Sequence, residues 1–344
     1  MGKRKKQEEI GMKRRILSVL LIAALAMTLL GGCKKNVGTP EDNAVTETEE
    51  DTEEKETEEE GILFGYCGMD AENPYFKTLE LSIRTELEEK GHRLMIRNPG
   101  MDAVLQNQQI QELIDEGVEA VFLSPVDSEQ ITEGLEALEE AEIPVINVDT
   151  QVKESQLTDA FIGSDNKNAG YVCGEDLKKR TPNGGKVIIL ECASRNSVNQ
   201  RITGFEEAIA NAGFEVLDRF DVNGEREKAK EAMKQFLKEY PEIDAVMCGN
   251  DPIALGALEA IEDAGRNEIL IYGVDGSPEV KKKLAENNLS LVGTGAQSPI
   301  NIGKEAVKVA LAVLNGEKFE KEIYEETFLI TRDNVELYGT DGWQ

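Results

Sequence analysis

Short apolar runs alternate with segments of helical period along most of this chain. Residues 245–248, Ala-Val-Met-Cys, form one such run, as in a parallel strand covered on both faces. Gly249 lets the backbone leave the strand tightly, and Asn250 presents a carboxamide that both donates and accepts. Asp251 and Pro252 then read as a helix N-cap with proline at the first helical position. Ala254, Leu255, Leu258 and Ile261 recur at helical spacing until Gly265, where a C-terminal cap belongs. The same unit predicts strands at 62–67, 94–97, 120–123, 145–148, 161–163, 187–190, 216–220, 245–248, 269–274 and 289–292. The helical stretches between them run roughly 10 to 18 residues, the length that right-handed parallel crossovers need. This is the α/β pattern of parallel sheets with helices on both faces. Ten strands crowd one doubly wound sheet, so the pattern predicts two Rossmann-like lobes.

Composition narrows the partners. A length of 344 residues fits about two domains. The net charge of -29 argues against nucleic acid and against anionic membrane surfaces. Five cysteines without a CxxC pair indicate neither a zinc ribbon nor a disulfide framework. Near the start, Lys13, Arg14 and Arg15 precede an apolar run at 16–30, which is short for a spanning helix but has the flanks of a signal peptide. The run ends in Leu30-Gly31-Gly32-Cys33, which looks like a bacterial lipobox. That likeness makes 1–32 a leader and Cys33 the lipid-modified first residue of a mature protein on the outer face of the cytoplasmic membrane. Residues 33–60 are dominated by Glu, Asp and Thr, and are expected to form a disordered acidic tether.

In open α/β sheets ligands bind at the C-terminal ends of strands, so those positions carry the functional signal. They supply Asn73, Tyr75 and Phe76 after the first strand, Ser124 and Asp127 after the third, and Asp149 and Thr150 after the fourth. The second half adds Arg201, Asn250, Asp275 and Gln297. Carboxylates accept from paired hydroxyls, amides and guanidinium groups donate to oxygens, and rings cover apolar sugar faces. Together they describe a pocket for a small polyhydroxylated molecule. No nucleophile–base pair, GxGxxG, Walker A or GxSxG pattern is present, so the reading is a binding protein, with no enzyme activity, cofactor or metal. Asp221, Asn223, Glu225 and Glu227 mimic half a calcium loop, but Arg226 replaces the required glycine and Ala232 the closing glutamate.

The ordered set ENPYF, SPVDSEQI, IPVINVD, IGSDN, QRITGFEEAI, GNDPIALGALEAI, GVDGSPE and TGAQSP resembles the type I periplasmic binding proteins, most closely the ribose-binding branch. The resemblance spans 62 to about 331. It implies ligand contacts by Asn73, Tyr75, Phe76, Asp149, Arg201, Asn250, Asp275 and Gln297. It also implies three crossings between lobes, with 61–163 and a late helix over about 296–326 in the first lobe and 164–295 and 327–344, with the C-terminal strand and tail, in the second. The implied role is delivery of a sugar or polyol by a monomer to an ABC permease and its ATPase. The alternative is signalling to a membrane histidine kinase or chemoreceptor. Three departures bear on the ligand: Ser124 where the branch has Asn, Thr150 where it has Arg, and no second-lobe aromatic beside Val274 or in the 221–229 stretch. They lead to the expectation of a roomier pocket, with Arg201 its only fixed positive charge, that holds a neutral hexose, substituted sugar or cyclic polyol and discriminates against ribose and sugar phosphates.

Overall fold

The computed structural model describes residues 61–286 and 288–344. The leader, Cys33 and the acidic tether lie outside these described residues. The first sheet takes β1 (Leu63–Cys67), β2 (Arg93–Arg97), β3 (Ala120–Leu123), β4 (Val145–Val148), β5 (Ala160–Ser164) and β11 (Glu322–Glu325), in the order β11-β5-β4-β3-β1-β2. Every pairing in it is parallel. The second sheet contains β6 (Gly185–Glu191), β7 (Phe214–Asp221), β8 (Ala245–Cys248), β9 (Leu270–Asp275), β10 (Leu291–Ala296) and β12 (Phe328–Thr331), in the order β12-β10-β9-β8-β6-β7. Only β12 runs antiparallel to its neighbour.

Helices cover both faces of each sheet, as continuous apolar strands require. In the first lobe, α1 (Pro74–Glu88) and α9 (Pro299–Asn315) bury Phe76, Leu79, Ile83, Ile302 and Ala306 against one face. On the other face, α2 (Ala103–Asp115) and α3 (Thr132–Glu140) bury Ile110, Leu113 and Leu135. The second lobe carries α4 (Asn166–Arg180) and α5 (Asn196–Ile209) on one face. Its other face is covered by α6 (Arg226–Glu239), α7 (Asp251–Asp263) and α8 (Pro278–Ala285).

The helix α4 packs on α5 at backbone distance. A Cβ on Gly170 would sit 1.7 Å from the Arg201 carbonyl oxygen, and one on Gly204 would sit 1.9 Å from that of Lys167. No larger residue fits either point, so these glycines set where Arg201 stands.

Two boundaries differ from the sequence pattern. The helix expected over 296–326 ends at Asn315, closed by Gly316 at φ 68°, and Glu322–Glu325 pairs as an edge strand with β5. That strand alternates exposed and half-buried residues over four positions, too short and too polar to stand out as an apolar run. The N-cap of α7 is Asn250, one residue before the expected Asp251. The Asn250 side chain accepts from the Ile253 N–H at 3.0 Å. Asp251 instead turns fully inward and accepts from Ser277 N–H and Thr294 Oγ1, each at 2.7 Å.

The chain passes between sheets after β5, after β10 and between β11 and β12. The first and third crossings are tied together where Asn168 Nδ2 donates to the Thr327 carbonyl at 2.9 Å and Thr327 Oγ1 donates to the Asp165 carbonyl at 3.0 Å. Cys67, Cys173, Cys192 and Cys248 are buried and free, packed as small hydrophobes.

Candidate ligand-binding cleft

The strand ends of the two sheets converge on a cleft of about 280 Å³ of space between atoms, its open mouth included. Seven of the eight ligand positions that the resemblance implies line it: Asn73, Tyr75, Phe76, Asp149, Arg201, Asn250 and Asp275. Gln297 does not. It lies behind Asp275 and donates from Nε2 to Asp275 Oδ1 at 2.9 Å. Thr150, Arg195, Ser197 and Val198 complete the wall.

Both carboxylates sit on unusual backbone. Asp149, just past β4, has φ 65°, and Asp275, the last residue of β9, has φ 142°. Such positive φ values are uncommon outside glycine, cost on the order of 1–3 kcal/mol each, and cluster at ligand sites. The surrounding loops hold these ends in place. Asn147 Nδ2 donates to the Leu123 and Thr150 carbonyls while its Oδ1 accepts from Val152 N–H, which pins the turn after Asp149. Gln106 staples the loops after β1 and β3 through Gly68, Ser124 and Val126.

Asn73 and Asn250 use their side-chain oxygens as helix caps, toward Tyr75 N–H and Ile253 N–H, both at 3.0 Å. Their Nδ2 groups remain as donors. Tyr75 meets Phe76 edge-on with ring centroids 5.3 Å apart. Behind it, Trp343 meets the same ring at 5.6 Å. The neighbouring Gln344 donates to the Asp275 and Gln297 carbonyls, and Lys281 Nζ donates to the Gly342 carbonyl at 2.7 Å. The C-terminal residues therefore back the pocket from both lobes.

Arg201 is 4% exposed and largely spent on the protein. Its Nε donates to Asn166 Oδ1 at 2.8 Å, and its Nη1 to the Gly249 carbonyl at 2.8 Å and to Asp275 Oδ1 at 3.3 Å. Burial raises the Asp275 pKa above the usual carboxylate range; Arg201 opposes that shift, and the nearby Asp251 adds to it. Burial also raises that of Asp149, against the pull of Arg201 and the Thr150 hydroxyl. Burial and the Asp149 charge raise the pKa of the Tyr75 phenol, whose hydroxyl has no hydrogen-bond partner of good geometry.

Two expectations about the pocket change. Thr150 does not leave open room, because its hydroxyl bonds Asp149 Oδ2 and Ser197 Oγ, each at 2.8 Å. Nor is Arg201 the only cation, since Arg195 lines the same cleft. Sequence reasoning passed over Arg195 although it stands in the same strand-end loop, directly before α5; its position there was the available signal. The missing aromatic beside Asp275 has a simpler basis: Val274 is wholly buried in the second-lobe core. The lobes touch across the cleft through Thr150–Ser197, through Ser128 N–H to the Ser194 carbonyl at 3.2 Å, and through Arg195 Nη2 to Met101 Sδ at 3.1 Å.

Residues 64–318 match the family described as a periplasmic binding protein domain. The chain is 32% identical over 249 residues to the ribose import binding protein of Escherichia coli (strain K12), covering 72% of this chain and 83% of that protein. The chain belongs to the type I periplasmic binding proteins. Within this family it is of the ribose-binding-like kind. Its fold matches that of an ABC transporter solute binding protein from Mycobacterium smegmatis with bound glycerol, with TM-score 0.78, 27% identity and coverage of 82% of this chain and 99% of that one. A second match, at TM-score 0.74, 26% identity and coverage of 80% and 93%, is the fructose-binding periplasmic domain of a hybrid two-component system.

Proposed function

We propose that this periplasmic binding protein captures a monosaccharide or cyclic polyol between its lobes and delivers it to an ABC importer, without altering it chemically. The observation that carries the reading is the pair of buried carboxylates, Asp149 and Asp275, held at strained strand ends around one cleft with the Tyr75 and Phe76 rings. Adjacent hydroxyls satisfy such carboxylates as paired donors, while the rings cover an apolar face. Asn73, Arg201 and Asn250 are the further ligand contacts, and Gln297 acts through Asp275. The ribose import role of a relative and the ABC transporter assignment of a structural neighbour support this reading. The protein works outside the cytoplasmic membrane, tethered through a lipid on Cys33, and as a monomer.

A thermal-shift screen of the full chain against neutral sugars, cyclic polyols and sugar phosphates tests the reading. A ligand at a hundredfold excess over its Kd stabilises the folded state by about 2.7 kcal/mol. Stabilisation by one neutral compound is expected; stabilisation by phosphorylated sugars alone, or recovery of a chemically altered ligand, overturns the proposal. Membrane attachment is tested separately, because Cys33→Ser should release the protein from the membrane fraction or block its processing. A sensing role is the second reading, favoured by the likeness to the fructose-binding domain of a two-component system. Ligand-dependent capture of a kinase ectodomain in place of a permease would establish it.

A further inference from the structure

Among the ion pairs and orphaned polar atoms of the described residues, one juxtaposition at the cleft has no internal explanation. Arg195 is 5% exposed, yet among the described residues its guanidinium forms no ion pair, although the Glu225 carboxylate feels its charge. Its Nε is buried without a hydrogen-bond partner. Only Nη2 has a protein acceptor, the thioether of Met101 across the cleft, and thioether sulfur accepts weakly. The group is nonetheless held in one place. A Cβ on Gly224, whose φ is 74°, would sit 2.7 Å from Arg195 Nη1 and 3.0 Å from Cζ and Nη2, so the guanidinium packs flat against that turn. On the facing wall Asp149 also forms no ion pair among the described residues; Thr150 donates to it, and the Tyr75 hydroxyl stands beside it without good hydrogen-bond geometry. Arg195 is near enough to help hold down the pKa of that carboxyl.

A buried donor without a partner and a buried carboxylate with acceptor capacity to spare, both lining one cavity, mark where a ligand atom completes them. The contrast with Arg201 is informative, since that guanidinium is already closed onto Asp275, Asn166 and Gly249. We propose that Arg195 is a specificity-determining ligand residue, supplying from the second lobe the guanidinium that Thr150 withholds from the first, and that one ligand hydroxyl bridges it to Asp149. A hydroxyl is the one common group that does both, donating its proton to the Asp149 carboxylate and accepting from Arg195. A deoxy position satisfies neither partner. A ligand carboxylate satisfies Arg195 but meets Asp149 as a like charge. The inference rests on the sugar or polyol reading above and names which of its polar atoms is selected.

Calorimetric titration of the full chain tests it with D-ribose, D-allose, D-galactose, D-fructose, myo-inositol, xylitol and D-glucuronate as probes. The parent should bind at least one neutral probe. Arg195→Met should weaken that probe by about thirtyfold or more, as expected when one partner of a buried charged hydrogen bond is removed. Arg195→Lys keeps the charge without the planar fork; it should lose less, and it serves as the readout if the methionine variant does not fold. Monodeoxy analogues of the bound probe should show one position whose penalty in the parent disappears in the variants. If a neutral probe binds the parent and both variants within threefold of each other, this assignment is overturned while the sugar-binding reading stands. A parent that prefers D-glucuronate overturns the bridging hydroxyl. A parent that binds no probe overturns the sugar-binding reading and this assignment with it.

Discussion

Replacing Arg201 by Met should damage the empty protein before any ligand is added. The guanidinium joins three elements of the second lobe: Asn166 at the start of α4, the Gly249 carbonyl after β8, and Asp275 at the end of β9. Removing it strands a carboxylate that is 5% exposed and faces Asp251 nearby. Breaking one partner of a buried ion pair costs about 3–5 kcal/mol. At roughly 2–3 °C per kcal/mol for a domain of this size, Tm should fall by about 6–15 °C. The pH dependence identifies the cause. An unfolded aspartate ionises near pH ~3.9, whereas folded Asp275 already sits above that range and rises further without Arg201. Folding then takes up a proton, so stability falls as pH climbs between the two values, by up to about 1.36 kcal/mol per pH unit. Because the parent's own Asp275 is held up to about 8, the Tm gap between Arg201→Met and the parent should stay level below that pH and widen from pH 8 to pH 10. Adding Asp275→Asn should recover part of the loss and flatten that dependence. Differential scanning calorimetry across this range is the assay. A loss below about 1 kcal/mol, or a gap that stays constant with pH, would refute the argument that Arg201 compensates a buried carboxylate.

Other perturbations separate roles that share a residue. Asn250→Ser keeps a capping oxygen and loses the Nδ2 donor, so it should hold stability within about 0.5 kcal/mol yet weaken ligand binding; Asn250→Ala should lose about 1 kcal/mol of stability as well. Equal Tm for the two variants would contradict the capping role. Gly170→Ala pushes a methyl against the Arg201 carbonyl and should lower Tm by more than a surface substitution and reduce affinity together; unchanged values would mean the helices can part freely. Trp343 is the single tryptophan of the chain and abuts Tyr75, so its emission should shift when ligand reaches that ring. Emission that stays constant through a saturating calorimetric titration would remove Tyr75 from the site.

What could be read from sequence here was local. The runs at β3, β4 and β8 have the same bounds in pattern and in structure, because a strand buried on both faces is apolar at nearly every position; Asn147 in β4 is admitted with its amide bonded to Leu123, Thr150 and Val152. Polar residues at the ends of those strands were equally legible, since a parallel sheet offers its ligand site there and nowhere else. The short edge strand β11 was not, because half its residues face solvent and leave no continuous run. What each polar side chain faces was decided only in three dimensions. Asp251 and Asn250 are adjacent in sequence, yet one is locked to Ser277 and Thr294 and the other caps a helix at the cleft. Arg195 and Arg201 lie on one helix and its cap. The first is turned toward the cleft by Gly224 and Met101, and the second is closed onto Asp275 by the lie of α4 against α5. Those partners are distant in the chain, and long-range packing fixes a side chain's direction where local periodicity fixes only its position.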